Sequence, residues 1–229
     1  MKTIGLIGGM SWESSIEYYR IINEAVRERL GGLHSAKCIM HSVEFDDIHR
    51  LQEAGDWSGL TDAMVGAARG LKNAGAGLIL ICTNTMHIMA DDVQKQADVE
   101  VLHIADATGR KIKEKGLKKV GLLGTKFTME KDFYRERLER FGIETIIPEE
   151  EDREEVHRII FGELCAGIID PASRERLKEI IARLASRGAQ GVVLGCTEIP
   201  LIIGQKDAPI PVFDTTRIHA LAAVKRAMG

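Results

Sequence analysis

The 229-residue sequence has no apolar run long enough to span a bilayer and no excess of either charge. The first absence argues against a transmembrane helix. The second, a formal net charge of -3 with acids and bases interspersed, leaves no basic stripe for nucleic acid and no like-charged block of the kind that stays disordered. Cysteine is scarce: Cys38, Cys82, Cys165 and Cys196 lie far apart, and no C-x-x-C occurs. These spacings fit neither a zinc site nor a secreted disulfide framework. Lys2 to Met10 is too short for the apolar region of a signal peptide, so a cytoplasmic chain with free thiols is expected. Each thiol is then either a small buried hydrophobe or a reactive group. Nor is there a dinucleotide fingerprint, because Gly5-Leu-Ile-Gly8-Gly9 lacks the G-x-G-x-x-G spacing. His34, His41, His49, His103, His157 and His219 form no spaced pair with a carboxylate that would suggest a metal site, and nothing identifies a pyridoxal-phosphate lysine. No metal and no cofactor are expected.

What remains is the composition of an ordinary globular enzyme, 45% hydrophobic and 28% charged. Short apolar runs alternate with longer amphipathic segments, the pattern of an α/β fold with parallel sheets. Thr3 to Ile7 reads as a buried strand ending in Gly8-Gly9. Ser11 is placed to cap a helix from Trp12 to Leu30, with Ile16, Tyr19, Ile22 and Val26 expected on its core face and Gly31 as its stop. Lys37 to Phe45 reads as a strand, Ser58 to Asn73 as a helix and Gly77 to Cys82 as another buried strand.

The series then recurs. Lys119-Val-Gly-Leu-Leu-Gly-Thr125 resembles Thr3-Ile-Gly-Leu-Ile-Gly-Gly9, and Thr128 is expected to cap a helix reaching Phe141. Ile143 to Ile147 follows as a strand, Ser173 to Arg187 as a helix and Gly191 to Cys196 as a strand. Leu-Ile-Leu-Ile-Cys82-Thr-Asn aligns with Val-Val-Leu-Gly-Cys196-Thr-Glu, and Ile104-Ala-Asp106-Ala-Thr108 with Val212-Phe-Asp214-Thr-Thr216. The offsets are 116 at the glycine strands, 114 at the cysteines and 108 at the aspartates, an internal duplication with small indels. Asp106 and Asp214 are expected to hold matched roles at strand ends, capping the helices that follow, and the acidic run Glu149 to Glu155 to form a solvated helix face.

Ligands of parallel α/β sheets bind beyond the carboxyl ends of the strands, where Cys82 and Cys196 both fall. The alignment makes each thiol the same position of a duplicated lobe, so the two are expected to oppose one another across an inter-lobe cleft. Cys38 and Cys165 have no such match and read as structural. Opposed thiols suit racemisation, which takes a proton from one face of Cα and returns one to the other. The thiol reference pKa of about 8.5 lies near working pH. A carbanion formed without a cofactor needs donors aimed at the substrate carboxylate. Thr83, Asn84, Thr85 and Thr197 follow the cysteines, and Gly9-Met10-Ser11, Thr125 and Thr128 lie at the first turn of each half. His87 and Glu198, close behind their cysteines, could tune a thiol or serve as helix caps and supporting groups.

Gly5-Leu-Ile-Gly-Gly-Met-Ser-Trp-Glu-Ser14, Cys82-Thr-Asn-Thr-Met-His87, Leu123-Gly-Thr125, Gly195-Cys-Thr-Glu198 and Val212-Phe-Asp-Thr215 together resemble the aspartate/glutamate racemases. The resemblance, which spans the chain, extends to the broad-specificity and aspartate/glutamate-specific amino-acid racemases. It implies two pseudo-symmetric flavodoxin-like lobes, 1-105 plus 214-229 and 106-213, pyridoxal-phosphate independence, a small amino-acid substrate and a homodimer. It implies Cys82 and Cys196 as the proton-shuttling pair. Met10, Thr83, Asn84, Thr85, Thr125 and Thr197 would line the α-amino and α-carboxylate end, with Thr128 and Glu198 adjoining them and Gln52 at the distal end. Archetypal aspartate racemases place an arginine and a lysine near the distal end, where this sequence offers Gln52 and Cys165, with Arg50 nearby. A neutral amide holds a carboxylate less firmly than a guanidinium does. Hydantoin racemisation, maleate isomerisation and malonate decarboxylation are rival chemistries of the same superfamily, and a non-catalytic amino-acid binding protein is a rival of another class.

Overall fold

The computed structural model describes residues 1–229 and divides into two compact units, Met1–His103 with His219–Gly229, and Ile104–Ile218. No helix is long and apolar enough to cross a membrane.

In the first unit, β1 (Ile4–Gly8) is the centre of a parallel sheet, flanked by β2 (Cys38–Ser42) and β3 (Leu78–Ile81). A single parallel bridge from Ile79 to Val101 prolongs the sheet past β3. Because side chains alternate across a strand, Ile4, Leu6, Leu78 and Leu80 pack on one face against α1 (Trp12–Leu30) and the end of the C-terminal helix. Ile7, Ile79 and Ile81 pack on the other face against α2 (Phe45–Glu53), α3 (Trp57–Asn73) and α4 (Ala90–Ala97). Both faces are covered, which is why β1 and β3 read as continuous apolar runs.

The second unit repeats the plan. After α5 (Ile104–Glu114), β4 (Lys119–Gly124) lies between β5 (Glu144–Ile146) and β6 (Val192–Gly195), and β7 (Val212–Asp214) adds beyond β6. The order β5-β4-β6-β7 is the 2-1-3-4 start of a flavodoxin-like sheet. Between the strands run α6 (Lys126–Glu130), α7 (Asp132–Glu139), α8 (Glu150–Gly162) and α9 (Pro171–Ser186). The chain ends in α10 (Thr215–Met228), whose residues from His219 onward belong to the first unit.

Several local expectations are corrected. Phe45 is not the end of a strand but the start of α2, where the Glu44 side chain accepts from Asp46 N and an acidic first turn suits the helix N-terminus. The core face of α1 is Tyr18, Ile21, Ile22, Ala25 and Val26, while Ile16 and Tyr19 are about half exposed. Thr128 does not cap its helix. Thr125 does, its hydroxyl accepting from Thr128 N at 3.3 Å, and the helix breaks at Lys131 before α7. Ile104–Thr108 and Val212–Thr216 align in sequence yet start different elements, a helix and a strand. Asp214 Oδ1 does cap α10 by accepting from Arg217 N at 3.0 Å, whereas Asp106 lies inside α5 and pairs with Arg137 at 2.9 Å. The acidic run opens α8 as expected, but Asp152 is buried and accepts from Arg176 and Arg183 of α9.

Candidate active site

The first unit gathers two turns at the carboxyl end of its sheet. Gly9 holds a positive φ of 92°, and a Cβ there would stand 2.3 Å from Val43 O, so the β1–α1 turn requires glycine. Gly9 N donates to Ser15 Oγ at 2.8 Å, and Ser11 caps α1. Ser14 Oγ lies 3.0 Å from Ser11 O and 3.3 Å from Cys82 O, fastening this turn to the one that carries the thiol. Cys82 follows β3 and is fully buried, with Met10, Asn84 and Thr85 buried and Thr83 partly so. Burial, and then Cys38, pushes the Cys82 thiol far above its ordinary value, so the resting sulfur holds its proton.

Behind Cys82 lies a polar cluster whose part the sequence does not disclose. His87 Nδ1–H donates to Thr83 O at 2.8 Å, and its ring lies 4.8 Å from that of His103 and 5.4 Å from that of His219. His219 Nε2–H donates to Leu102 O at 2.7 Å while Nδ1 accepts from Tyr18 Oη–H at 2.8 Å. One donating and one accepting nitrogen describe a neutral imidazole. Burial, and then His87, hold its pKa well below the usual range, with Leu102 O opposing them. A depressed folded pKa means the unfolded chain binds the extra proton. The stability it contributes is therefore complete above the unfolded value of about 6.5 and lost as pH falls below it, by about 1.4 kcal/mol per pH unit. Urea unfolding between pH 7.5 and 5.5 should show a steeper loss for the parent protein than for His219→Gln. Parallel pH slopes would remove His219 from the acid response.

In the second unit Thr125, at the β4–α6 turn, lies 3.3 Å from Thr128 Oγ1, and Thr128 is fully buried. Cys196 follows β6. Its Sγ–H donates to Glu198 Oε2 at 2.9 Å, and the Thr197 hydroxyl donates to the same oxygen at 2.8 Å. All three residues are buried. Burial first, then the Glu198 charge, raise the Cys196 thiol well above its ordinary value.

The two cysteines do not occupy the same structural position. Ile7 pairs with Ile81 in the first sheet, and its counterpart Leu123 pairs with Leu194 in the second. Gly195 therefore stands where Cys82 stands, and Cys196 lies one residue further along. A slip of one residue reverses the face. Cys82 belongs to the cluster formed with α1 and α10, and Cys196 to the one formed with α8 and α9. Glycine is required at the slipped position, because a Cβ on Gly195 would meet Leu122 Cδ1 at 2.8 Å and Leu123 O at 2.9 Å.

Of the remaining candidates, Gln52 is buried on α2, and its Oε1 has no hydrogen-bond partner. Arg50 is exposed and paired with Asp46 and Asp47. Cys165 is half-buried in a short helical turn (Leu164–Ala166) and packs against the cluster that holds Cys196.

Two parallel sheets, each ending in a buried thiol followed by a hydroxyl-bearing turn, define a cysteine-bearing α/β protein. Residues 7–223 match the family model of the Asp/Glu/hydantoin racemases, and the chain belongs to that family, whose racemases are isomerases. A Yersinia pestis crystal structure provisionally described as an Asp/Glu racemase is 54% identical over the full length of both chains, with a TM-score of 0.93. A Pyrococcus horikoshii structure described as an aspartate racemase homologue is 39% identical over both full chains, with a TM-score of 0.86. The broad-specificity amino-acid racemase RacX of Bacillus subtilis is 24% identical over 172 residues, 74% of this chain and 73% of RacX.

Proposed function

We propose that this racemase inverts the α-carbon of a free amino acid by a two-base transfer, with Cys82 and Cys196 as the bases. One sulfur, as thiolate, takes the α-proton from one face, breaking Cα–H and forming S–H. The other thiol gives its proton to the opposite face, so the product is the enantiomer and the two protonation states are exchanged. The observation that carries this reading is that each sulfur is buried, unbridged by a disulfide, and placed directly after a buried strand at the carboxyl end of its sheet, β3 for Cys82 and β6 for Cys196. Burial raises both thiols in the resting protein, and a substrate ammonium beside one of them would favour its thiolate.

Met10, Thr83, Asn84, Thr85, Thr125 and Thr197 would hold the α-amino and α-carboxylate groups, Thr128 supporting Thr125. Gln52 would meet the distal end, its unpartnered Oε1 accepting from a donor such as a side-chain amide and its Nε2–H being the group that would meet a carboxylate. Arg50 is engaged at the surface with Asp46 and Asp47, so the proposed distal contact is the neutral amide of Gln52. The proposed substrates are aspartate, glutamate or a wider set of amino acids, and the proposed active form is a homodimer.

The test is α-proton exchange in deuterated water across a panel of L- and D-amino acids, read by mass and by chiral chromatography. Deuterium should enter with inversion, and rates for aspartate and asparagine should fall within about tenfold of each other, as expected of an amide rather than a guanidinium clamp. Exchange with no amino acid would overturn the reading.

A further inference from the structure

Behind the Cys82 turn the first unit buries His87, His103 and His219, where aliphatic side chains would fill the space without taking polar nitrogens out of water. Partners orient two of these rings. His87 directs Nδ1–H at Thr83 O, 2.8 Å away, and His219 sends Nε2–H to Leu102 O while accepting from Tyr18 Oη–H. The His87 ring meets that of His219 edge-on and that of His103 at a tilt. Tyr18 comes from α1, His219 from α10 and His103 from the residue before α5, so three separate elements hold the His87 ring in place.

His87 grips the turn twice, because its backbone N–H also donates to Asn84 O at 3.1 Å. Two successive carbonyls, Thr83 O and Asn84 O, are thus turned toward one residue. Both peptides are trans, and in a trans peptide the N–H points opposite to the C=O. The N–H groups of Asn84 and Thr85 are therefore turned away from the cluster. The second unit shows what the imidazole adds. By the 114-residue offset of the cysteines, Asn84 corresponds to Glu198 and His87 to Leu201. Leu201 N donates to Glu198 O at 2.9 Å, the same backbone bond, yet Leu201 is exposed and its side chain carries no donor. This turn closes without a histidine. The addition in the first unit is the side-chain grip on Thr83 O.

We infer that His87 is a positioning residue for the proposed racemisation: its Nδ1–H fixes the Thr83–Asn84 peptide so that the Asn84 and Thr85 N–H groups face the substrate α-carboxylate. As Cα loses its proton, charge spreads onto that carboxylate, and donors already aimed at it lower the barrier without reorganising. A turn released from His87 would still bind the amino acid but would stabilise the intermediate less.

The inference rests on the racemase reading above, and the parent protein separates the two. His87→Leu removes the donor and installs the residue that closes the same turn in the second unit. With circular dichroism unchanged, its kcat for α-proton exchange should fall about 100-fold, as for a lost oxyanion donor, with KM within about threefold of the parent. His87→Asn carries an amide N–H as many bonds from Cα as Nδ1 and should recover to within about fivefold of the parent. Nitrogen NMR of the parent labelled with ¹⁵N-histidine should show His87 protonated on Nδ1, which reads the bond without turnover. Protonation on Nε2 alone overturns the inference, whether or not the variants fold. So does a His87→Leu protein as fast as the parent, and so does a His87→Asn protein as slow as His87→Leu, which would make the loss one of packing. A parent that exchanges no amino acid overturns the racemase reading and this role with it.

Discussion

Cys82→Ala and Cys196→Ala should each lose racemisation by on the order of 10³-fold in kcat, about 4 kcal/mol of barrier, while each keeps one half of the chemistry. The remaining thiol still reaches one face of Cα. It can remove the proton of a single enantiomer and, after its own S–H has exchanged with solvent, return deuterium to the same face. The expected result is α-deuteration with retention, confined to one enantiomer in Cys82→Ala and to the other in Cys196→Ala. Enantiomers have equal free energy, so kcat/KM must be equal in both directions for every variant, and the asymmetry shows only in exchange. Chiral separation followed by mass spectrometry reads it. If both variants deuterated the same enantiomer, the two sulfurs would not serve opposite faces. Undiminished racemisation in either would remove that cysteine from the reaction. Burial makes mild destabilisation a competing cause of lost activity, but that loses exchange with both enantiomers equally.

Much of this site can be read from residue order, because it lies where period and punctuation change together. A buried strand that stops at cysteine and then runs into threonine marks a sheet end, and the repeat of that phrase marks a duplicated unit. The Ser11 cap and the limits of α1 followed from local chemistry. The face of α1 did not, since Ile16 and Tyr19 are as apolar as Ile21 and Ile22 and periodicity cannot tell a core stripe from an exposed one. Phe45 suits a strand by propensity, yet the capping carboxylate of Glu44 and the acidic turn behind it start a helix. The one-residue slip between Cys82 and Cys196 is invisible for another reason. Aligning letters fixes which residues correspond, whereas hydrogen-bond register fixes which face they take, and only the pairing of Leu123 with Leu194 discloses it. The histidine cluster escaped because its members are brought together from residues 87, 103 and 219, and no spacing rule spans that separation.

The slip also makes the two proposed bases unequal, and Glu198 is where that inequality should be measured. Cys196 has a carboxylate oxygen at 2.9 Å from its sulfur, within reach of its proton. That carboxylate acts in two opposing ways. Its negative charge holds the thiol pKa up, second only to burial, which disfavours the thiolate. In the proposed reaction its oxygen would also receive the proton when Cys196 is to become a base, and return it when Cys196 is to be an acid. Glu198→Gln keeps the shape and one hydrogen bond but removes both actions. The first change alone would move the alkaline-rising limb of the kcat/KM profile to lower pH, with its plateau intact. The second alone would lower the plateau, by on the order of 10²-fold for a lost proton-transfer partner, without moving the limb. With the thiol bonded to the carboxylate, both should occur: a limb shifted toward neutrality and a plateau reduced about 100-fold, equally for the two enantiomers because their kcat/KM values are tied. Alkylation of Cys196 by iodoacetamide, followed by peptide mapping, gives the thiol pKa independently of turnover and should accelerate at neutral pH in the variant. A shifted limb with a full plateau would leave Glu198 as an electrostatic neighbour alone. A lowered plateau with unchanged alkylation would mean that its charge is not felt at the sulfur, and that Glu198 acts by holding Thr197 and the turn in place.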